Sequence, residues 1–418
     1  MVDRRLAVLA LGAFVVASDG TLIVGLLRQI AHSLSVSPAS AGQAVTVFAA
    51  VYALGGPLLI RAARRLAPRR LLWGTLGVFA IANAATAAAP SFGALLIARV
   101  VAAASAGVYM PTAAAAAAAW VGRDRRTRAL AVVVGGASAA TALGVPLGTF
   151  VGGVLGWRTV FYAIAALTAL LTVASVRSLP STQHAPAPMQ LVGRRPGVPL
   201  ILLTTLLWAT GSFVFFTYVG VVLHETASAG AAGLAGFLFV FGIAGVAGAA
   251  GSGWLSDARD PLVALAGGLV LVALSLAALG VVASAAPGGT VGVFASGAAI
   301  VAYGVGTWAI TPPQQRRLIA RGGDERLLLS LNASALYAGV ALGSAAGGLT
   351  LAAGAGTAVL CWIAGDGGRS VGACGSGAVA RKGPCLSRGR WRGSIAECVF
   401  DRVLIAVRAA ADPSAGSC

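Results

Sequence analysis

Apolar runs long enough to cross a membrane recur along most of this 418-residue chain, separated by short polar breaks. A hydrocarbon core about 30 Å thick takes roughly 20 apolar residues in helical form. The pattern predicts spans at 6–27, 41–60, 71–89, 92–120, 129–152, 159–176, 198–223, 231–252, 261–284, 289–312 and 328–354, eleven in all. The first follows Arg4 and Arg5 and stays apolar to Leu27. That is too long for the ~7–15-residue core of a cleaved signal, so it reads as a retained helix. The expected fold class is an all-α polytopic membrane protein.

Composition narrows the class further. Hydrophobic residues make up 58% of the chain and charged ones 10%, whereas soluble domains carry about a quarter charged residues. The net charge of +18 raises nucleic acid as a partner, but the arginines fall on alternate loops rather than along one face. Arg61, Arg64, Arg65, Arg69 and Arg70 follow the second span, and Arg123, Arg125, Arg126 and Arg128 the fourth. Arg194 and Arg195, then Arg316, Arg317 and Arg321, follow later even-numbered spans. The intervening loops, such as Pro90-Ser91 and Ala286-Pro287-Gly288-Gly289, are nearly uncharged. This is the positive-inside pattern: it puts the N-terminus and the arginine-rich loops in the cytoplasm and the chain in the plasma membrane, with the lipid bilayer and not nucleic acid as its surroundings.

The longest polar break in the apolar region is 177–197, RSLPSTQHAPAPMQLVGRRPG, whose Pro, Ser and Gln content reads as a linker. It separates an N-terminal bundle of six helices (1–176) from a C-terminal region with five credible helices (198–356). An internal repeat supports the division. Residues 144–153 read GVPLGTFVGG and residues 339–348 read GVALGSAAGG, with six of ten positions identical. Duplication of a six-helix unit follows. In both copies glycines recur every fourth residue, Gly144, Gly148 and Gly152, then Gly339, Gly343 and Gly347. Such spacing puts them on one helix face, where a neighbouring helix can approach closely. Pro146 removes a backbone donor and predicts a kink.

Charges inside a membrane are costly and informative. Asp19 lies roughly 20 Å into the first span, and Arg99 roughly 10 Å into the oppositely running fourth, at 1.5 Å per residue. Both therefore fall at a similar depth in the outer half, where a carboxylate and a guanidinium can pair or flank a wet cavity. A carboxylate beside such a cavity can take up and release a proton as access alternates. Tyr109 and Met110 on the fourth span, Trp208, Ser212 and Phe216 on the seventh, and Trp308, Asn332 and Tyr337 on the tenth and eleventh are candidate cavity-lining residues. His32, His184 and His224 lie in loops or at span ends, and no metal spacing, phosphate-binding loop or Ser/His/Asp arrangement occurs in the sequence. No cofactor, metal or enzymatic activity is expected.

Three stretches carry a family resemblance: SDGTLIVGLLRQIA at 18–31, LLIARVVAAASAG at 95–107 and GVPLGTFVGGVLGWRTVF at 144–161. The chain resembles the major facilitator superfamily, in its drug:proton antiporter branch, and is most similar to arabinose-efflux-permease-like and chloramphenicol-exporter-like proteins. The resemblance implies a monomer of two pseudo-symmetric six-helix bundles. It implies proton coupling at Arg99, proton or substrate handling at Asp19, and an antiporter motif on the helix with Gly144, Pro146, Gly148 and Gly152. The family's second acid after Asp19 is Gly20 here. The family's Gly-x3-Asp-Arg loop survives after the second span only as the basic cluster Arg65, Arg69 and Arg70, with Arg64 at the Asp position, while Gly253 and Asp257 are kept in the second half.

The repeat also predicts a twelfth helix near 354–371, but GAGTAVLCWIAGDGGRSV carries Asp366 and Arg369 there. The twelfth helix is therefore expected to be missing or degenerate. All five cysteines and the single lysine, Lys382, lie at or beyond Cys361. Residues 357–418 read either as a disordered, out-of-frame tail or as a genuine divergent one. The expected function is proton-coupled export of a small organic molecule. An uncoupled sugar or metabolite facilitator and a non-transporting membrane protein are the alternatives.

Overall fold

A backbone that crosses hydrocarbon must satisfy its own hydrogen bonds, which a helix does within one segment. The computed structural model describes residues 4–62, 66–121, 126–179, 197–258, 260–285, 289–322 and 325–365, and these are almost entirely helical. The N-terminal bundle holds α1 (Arg4–Ser33), α2 (Pro38–Ala62), α3 (Pro68–Ala88), α4 (Phe92–Ala119), α5 and α6 (Trp157–Ser178). α5 runs in three parts, Arg126–Ala139, a π-turn at Ala140–Gly144, and Val145–Leu155. The C-terminal bundle holds α7 (Val198–Phe216, resuming at Val219–Ala227), α8 (Ala231–Ala258), α9 (Pro261–Ala285), α10 (Gly289–Ala309, resuming at Thr311–Ile319) and α11 (Glu325–Ala352). A last helix, α12, covers 357–365.

Ten helices among the described residues are long and apolar enough to cross a membrane, and the 25-residue α2 is an eleventh long helix. Observed ends overrun the predicted apolar runs. α1 continues through Arg28 and Gln29 to Ser33, because a helix keeps its hydrogen bonds into the interfacial zone where polar side chains are solvated. The second part of α10 carries Gln315, Arg316 and Arg317 beyond the predicted span for the same reason, while Gln314 beside them turns inward and is buried.

Local chemistry explains the connections. The Ser37 hydroxyl accepts from the Ser40 N–H at 3.1 Å to start α2, and Asp260 accepts from the Leu262 N–H at 2.8 Å to start α9. Gly156 alone joins α5 to α6 at φ +87°, a conformation L side chains rarely adopt. Beside it, Arg158 donates to Ser33 Oγ at 2.9 Å and to the Ala89 carbonyl at 2.8 Å, and lies over the Trp157 ring at 4.4 Å. One side chain thus ties α1, α3 and α6 together at the arginine-poor end. Arg158→Ala is expected to cost about 1–3 kcal/mol, the scale of hydrogen bonds from a charged donor, read as a lower unfolding temperature in detergent.

The glycine stripes perform the same task in each bundle. A Cβ on Gly144, Gly148 or Gly152 would meet Ser18, Leu22 or Leu26, so along this stripe α5 meets α1 through side chains. A Cβ on Gly339, Gly343 or Gly347 would come within 2.5, 2.2 or 2.6 Å of the Leu206, Thr210 or Val214 carbonyl oxygen, so α11 lies on the backbone of α7. The repeat read from the sequence is thus matched by equivalent helix pairs, α1·α5 and α7·α11. Gly343→Ala forces two backbones apart, whereas Gly148→Ala displaces the end of a flexible leucine. Thermal unfolding should show the larger loss for Gly343→Ala, about 1–3 kcal/mol as for other overpacked cores.

Two expectations are corrected in detail. The kink at Pro146 is taken up one turn earlier as the π-turn, in which the Val145 N–H bonds the Ala140 carbonyl. Residues 357–365, assigned from the sequence to a disordered tail, are helical, with Leu360, Cys361 and Ala364 buried in the core and Trp362 against Gly280 of α9. They occupy the start of the twelfth-helix position, because their own sequence is apolar up to Gly365. The rest of 366–418 lies outside the described residues, as do 180–196 of the linker.

Candidate functional site

The site begins with two buried charges. α1 carries Asp19 and α4 carries Arg99, both fully buried. Arg99 Nη1 donates to both carboxylate oxygens of Asp19, at 2.7 and 2.8 Å, and Nη2 donates to the Asp19 carbonyl at 3.2 Å. The guanidinium lies 4.5 Å from the centroid of the Phe48 ring of α2 and 5.9 Å from that of Phe161 of α6. An ion pair enclosed by aromatic faces is held in low dielectric, where its attraction is strong and the loss of either partner is severe. The Arg99 Nε has no hydrogen-bond partner among the described residues. The common depth of Asp19 and Arg99 expected from helix geometry is what lets them meet.

The other predicted lining residues divide. On α7, Trp208, Ser212 and Phe216 are buried. The Ser212 carbonyl accepts from the Tyr303 hydroxyl at 3.1 Å, and Phe216 packs on Phe241 at 4.9 Å between centroids. The Trp208 Nε1 and Ser212 Oγ have no hydrogen-bond partner among the described residues. On α11, Asn332 Oδ1 accepts from Thr205 at 2.7 Å, and Gln314 Nε2 donates to Thr205 Oγ1 at 3.3 Å, making a polar cluster in the C-terminal bundle. Tyr337 stacks on Tyr52 of α2 at 3.9 Å, across the two bundles. Met110 is half-buried against the N-terminal core.

Tyr109 and Trp308 are committed to helix packing instead. The Tyr109 hydroxyl donates to the Leu9 carbonyl at 3.3 Å, and its ring occupies the space left by Gly12 of α1. Trp308 fills the space beside Gly245 of α8. In both cases a glycine on the neighbouring helix takes up the ring, which the sequence does not reveal at this separation. Of the loop residues, Arg69 donates to the Val176 carbonyl of α6 and Arg70 is exposed. Gly253 faces open space. Arg65 and the side chain of Asp257 lie outside the described residues.

Several contacts join the bundles between the arginine-poor end and mid-helix. The Tyr218 hydroxyl fills the space beside Gly42 and donates to the Ser344 carbonyl at 3.0 Å, while Ser344 Oγ donates to the Gly42 carbonyl at 3.2 Å. Gly153 meets Ala231, and Gly242 of α8 meets the backbone of Ala142 in the π-turn. The Tyr52–Tyr337 stack lies deepest along α2 toward the arginine-rich end among these contacts. Among the described residues, these contacts between the bundles run from the arginine-poor end to the middle of the helices.

Comparison with known proteins gives a consistent picture. The family model of the Major Facilitator Superfamily matches residues 9–348. The chain is 31% identical over 350 residues to the MFS-type transporter YbcL of Bacillus subtilis, covering 82% of this chain and 88% of that one. It is 30% identical over 360 residues to the inner membrane transport protein YdhP of Escherichia coli, covering 85% and 90%. It is 32% identical over 369 residues to a chloramphenicol resistance protein of Streptomyces lividans, covering 86% and 92%. In fold it is similar to the xylose transporter XylE of E. coli in a partially occluded inward-open conformation, with TM-score 0.68 at 14% identity over 92% of this chain and 99% of that one.

Proposed function

The chain belongs to the major facilitator superfamily, and from that membership we propose that it exports a small organic molecule in exchange for protons. The observation that carries the coupling is the fully buried Asp19–Arg99 pair on α1 and α4. Ionisable residues inside a membrane are costly and commonly mark ion pathways and proton relays. Asp19 ionised is neutralised by Arg99; Asp19 protonated leaves the guanidinium to seek other partners. The two forms therefore favour different arrangements of α1 and α4, and alternating access carries Asp19 from one side's water to the other's.

The substrate half of the proposal is supported by the 32% identity to a chloramphenicol resistance protein and by the aromatic cluster that Phe216 forms with Phe213 and Phe241 on the C-terminal bundle. The protein works as a monomer in the plasma membrane, with the N-terminus and the arginine-rich loops in the cytoplasm, the side on which a positive loop is retained. With that orientation, the contacts between the bundles at the arginine-poor end among the described residues support an inward-facing arrangement.

The test is tolerance in an exporter-deficient bacterial host, scored with chloramphenicol and a panel of uncharged aromatic compounds and sugars. Expression should raise tolerance or efflux for at least one compound, and a protonophore should remove the gain. Efflux that persists with the proton gradient collapsed would instead identify an uncoupled facilitator. No gain for any compound from a chain shown to be in the membrane would favour a non-transporting protein.

A further inference from the structure

The guanidinium of Arg99 does not rest on Asp19 alone. Its Phe48 neighbour is seated against Gly20, whose Cβ, if present, would lie 3.3 Å from the ring. A side chain at position 20 would make Phe48 give by a few tenths of an ångström, so the glycine beside Asp19 leaves the ring room against α1. One helical turn on, Tyr52 shares that face of α2, with the two rings 6.4 Å apart and 27° from parallel. Tyr52 then stacks at 3.9 Å and 25° on Tyr337 of α11, in the other bundle. A continuous series of contacts, Asp19–Arg99–Phe48–Tyr52–Tyr337, therefore leads from the buried charge to the boundary between the bundles.

We propose that Phe48 is a positioning residue through which the Asp19–Arg99 pair biases the Tyr52–Tyr337 contact, and so the inward–outward equilibrium of the two bundles. This rests on the proton-coupled reading above. The α2·α11 contact is the two-state element: it is made in the arrangement seen here and has to open when access reverses. A cation over an aromatic face in a desolvated site is worth about a ten- to thirty-fold bias between two arrangements. With Asp19 ionised, Arg99 is shared between carboxylate and ring; once Asp19 is protonated, the ring becomes its principal partner. Phe48, and with it Tyr52, then takes a different position relative to Tyr337.

Arg99 is the charged group that faces Asp19 among the described residues. α2 contributes Phe48 and, further along, Tyr52; α4 also carries Tyr109, bonded to Leu9. α6 contributes Phe161, with Arg158, Tyr162 and Arg177 toward its ends, and α5 presents Gly144 and Gly148 to this part of α1. His224 and Glu225 lie on the second part of α7, at the arginine-poor end.

The experiment uses the full chain with its five cysteines changed to serine and spin labels on cysteines introduced at His32 and Ala353, both exposed at the arginine-poor end of opposite bundles. Pulsed electron spin resonance then reads the inward–outward distribution in nanodiscs from about pH 5 to pH 8.5. The wild-type distribution should shift with pH, and Asp19→Asn should abolish the shift. Phe48→Leu, which keeps bulk but removes the aromatic face, should reduce it to about a third or less, and Phe48→Tyr should restore it. If Phe48→Leu does not reach the membrane, Tyr337→Leu leaves Asp19, Arg99 and Phe48 intact and should flatten the response in the same way. A full wild-type shift in Phe48→Leu, or in Tyr337→Leu, overturns the relay while leaving proton coupling at Asp19 standing. A shift that survives in Asp19→Asn overturns both.

Discussion

Asp19→Asn is expected to abolish proton-driven export and to destabilise the N-terminal bundle by about 3–5 kcal/mol, the usual cost of removing one member of a buried ion pair. The amide fills the same space but cannot neutralise Arg99, which stays charged and fully buried. Two strong charge-assisted hydrogen bonds, at 2.7 and 2.8 Å, become at best one to a neutral carbonyl oxygen. Thermal unfolding in detergent measures the first effect, and efflux driven by an imposed pH gradient the second. A variant of wild-type stability that still couples would mean that the pair has neither role.

The loss of stability and the loss of coupling are separable, and the second large effect follows from that. Replacing a buried pair by apolar residues of similar volume is often neutral or stabilising. Asp19→Leu combined with Arg99→Met removes both charges at once, and the methionine keeps a long flexible side chain against Phe48 and Phe161. The double variant is expected to recover most of the unfolding temperature lost in Asp19→Asn while remaining without proton-coupled export. A purely structural ion pair makes the opposite demand: restoring stability would restore transport. Measuring both properties on the two variants in the same membrane preparation distinguishes these outcomes.

The spans were legible in the sequence because hydropathy over 18 to 25 residues is an average that no single neighbour alters. The meeting of Asp19 with Arg99 was legible for a related reason: depth in a bilayer follows from position along a helix, and two charges at one depth have few other partners. What the sequence left hidden depends on contacts between distant helices. Tyr109 is an aromatic on a membrane helix like Tyr337, yet Gly12 on α1 receives one and Tyr52 on α2 stacks on the other. Phe48 and Tyr52 stand four residues apart on α2, a spacing that shows a shared face but not what that face covers. Arg158 read as one residue of a family stretch, and its bonds to Ser33 and Ala89 become visible only when three helix ends converge. The start of α12 was missed because Asp366 and Arg369 dominated an average that Thr357 to Gly365 alone would have passed.

The same distinction bears on substrate. Trp208 Nε1 and Ser212 Oγ, one turn apart on α7, are buried donors without partners among the described residues, and one turn further on Phe216 packs with Phe213, Phe241 and Tyr303, the last bonded to the Ser212 carbonyl. Such surroundings suit an uncharged molecule better than an ion, because a buried unpaired charge costs far more than a buried unpaired hydroxyl.

Proton movement tied to substrate movement is the central claim, and one measurement reaches it directly. Protein reconstituted into liposomes with a trapped pH-sensitive dye is given a gradient of the compound identified in the tolerance screen, with no pH difference imposed. The expected result is a pH change inside the vesicles, in the direction of protons moving against the substrate, that is absent with Asp19→Asn. Substrate flux without any pH change in the wild-type protein, or an equal pH change with Asp19→Asn, would contradict it.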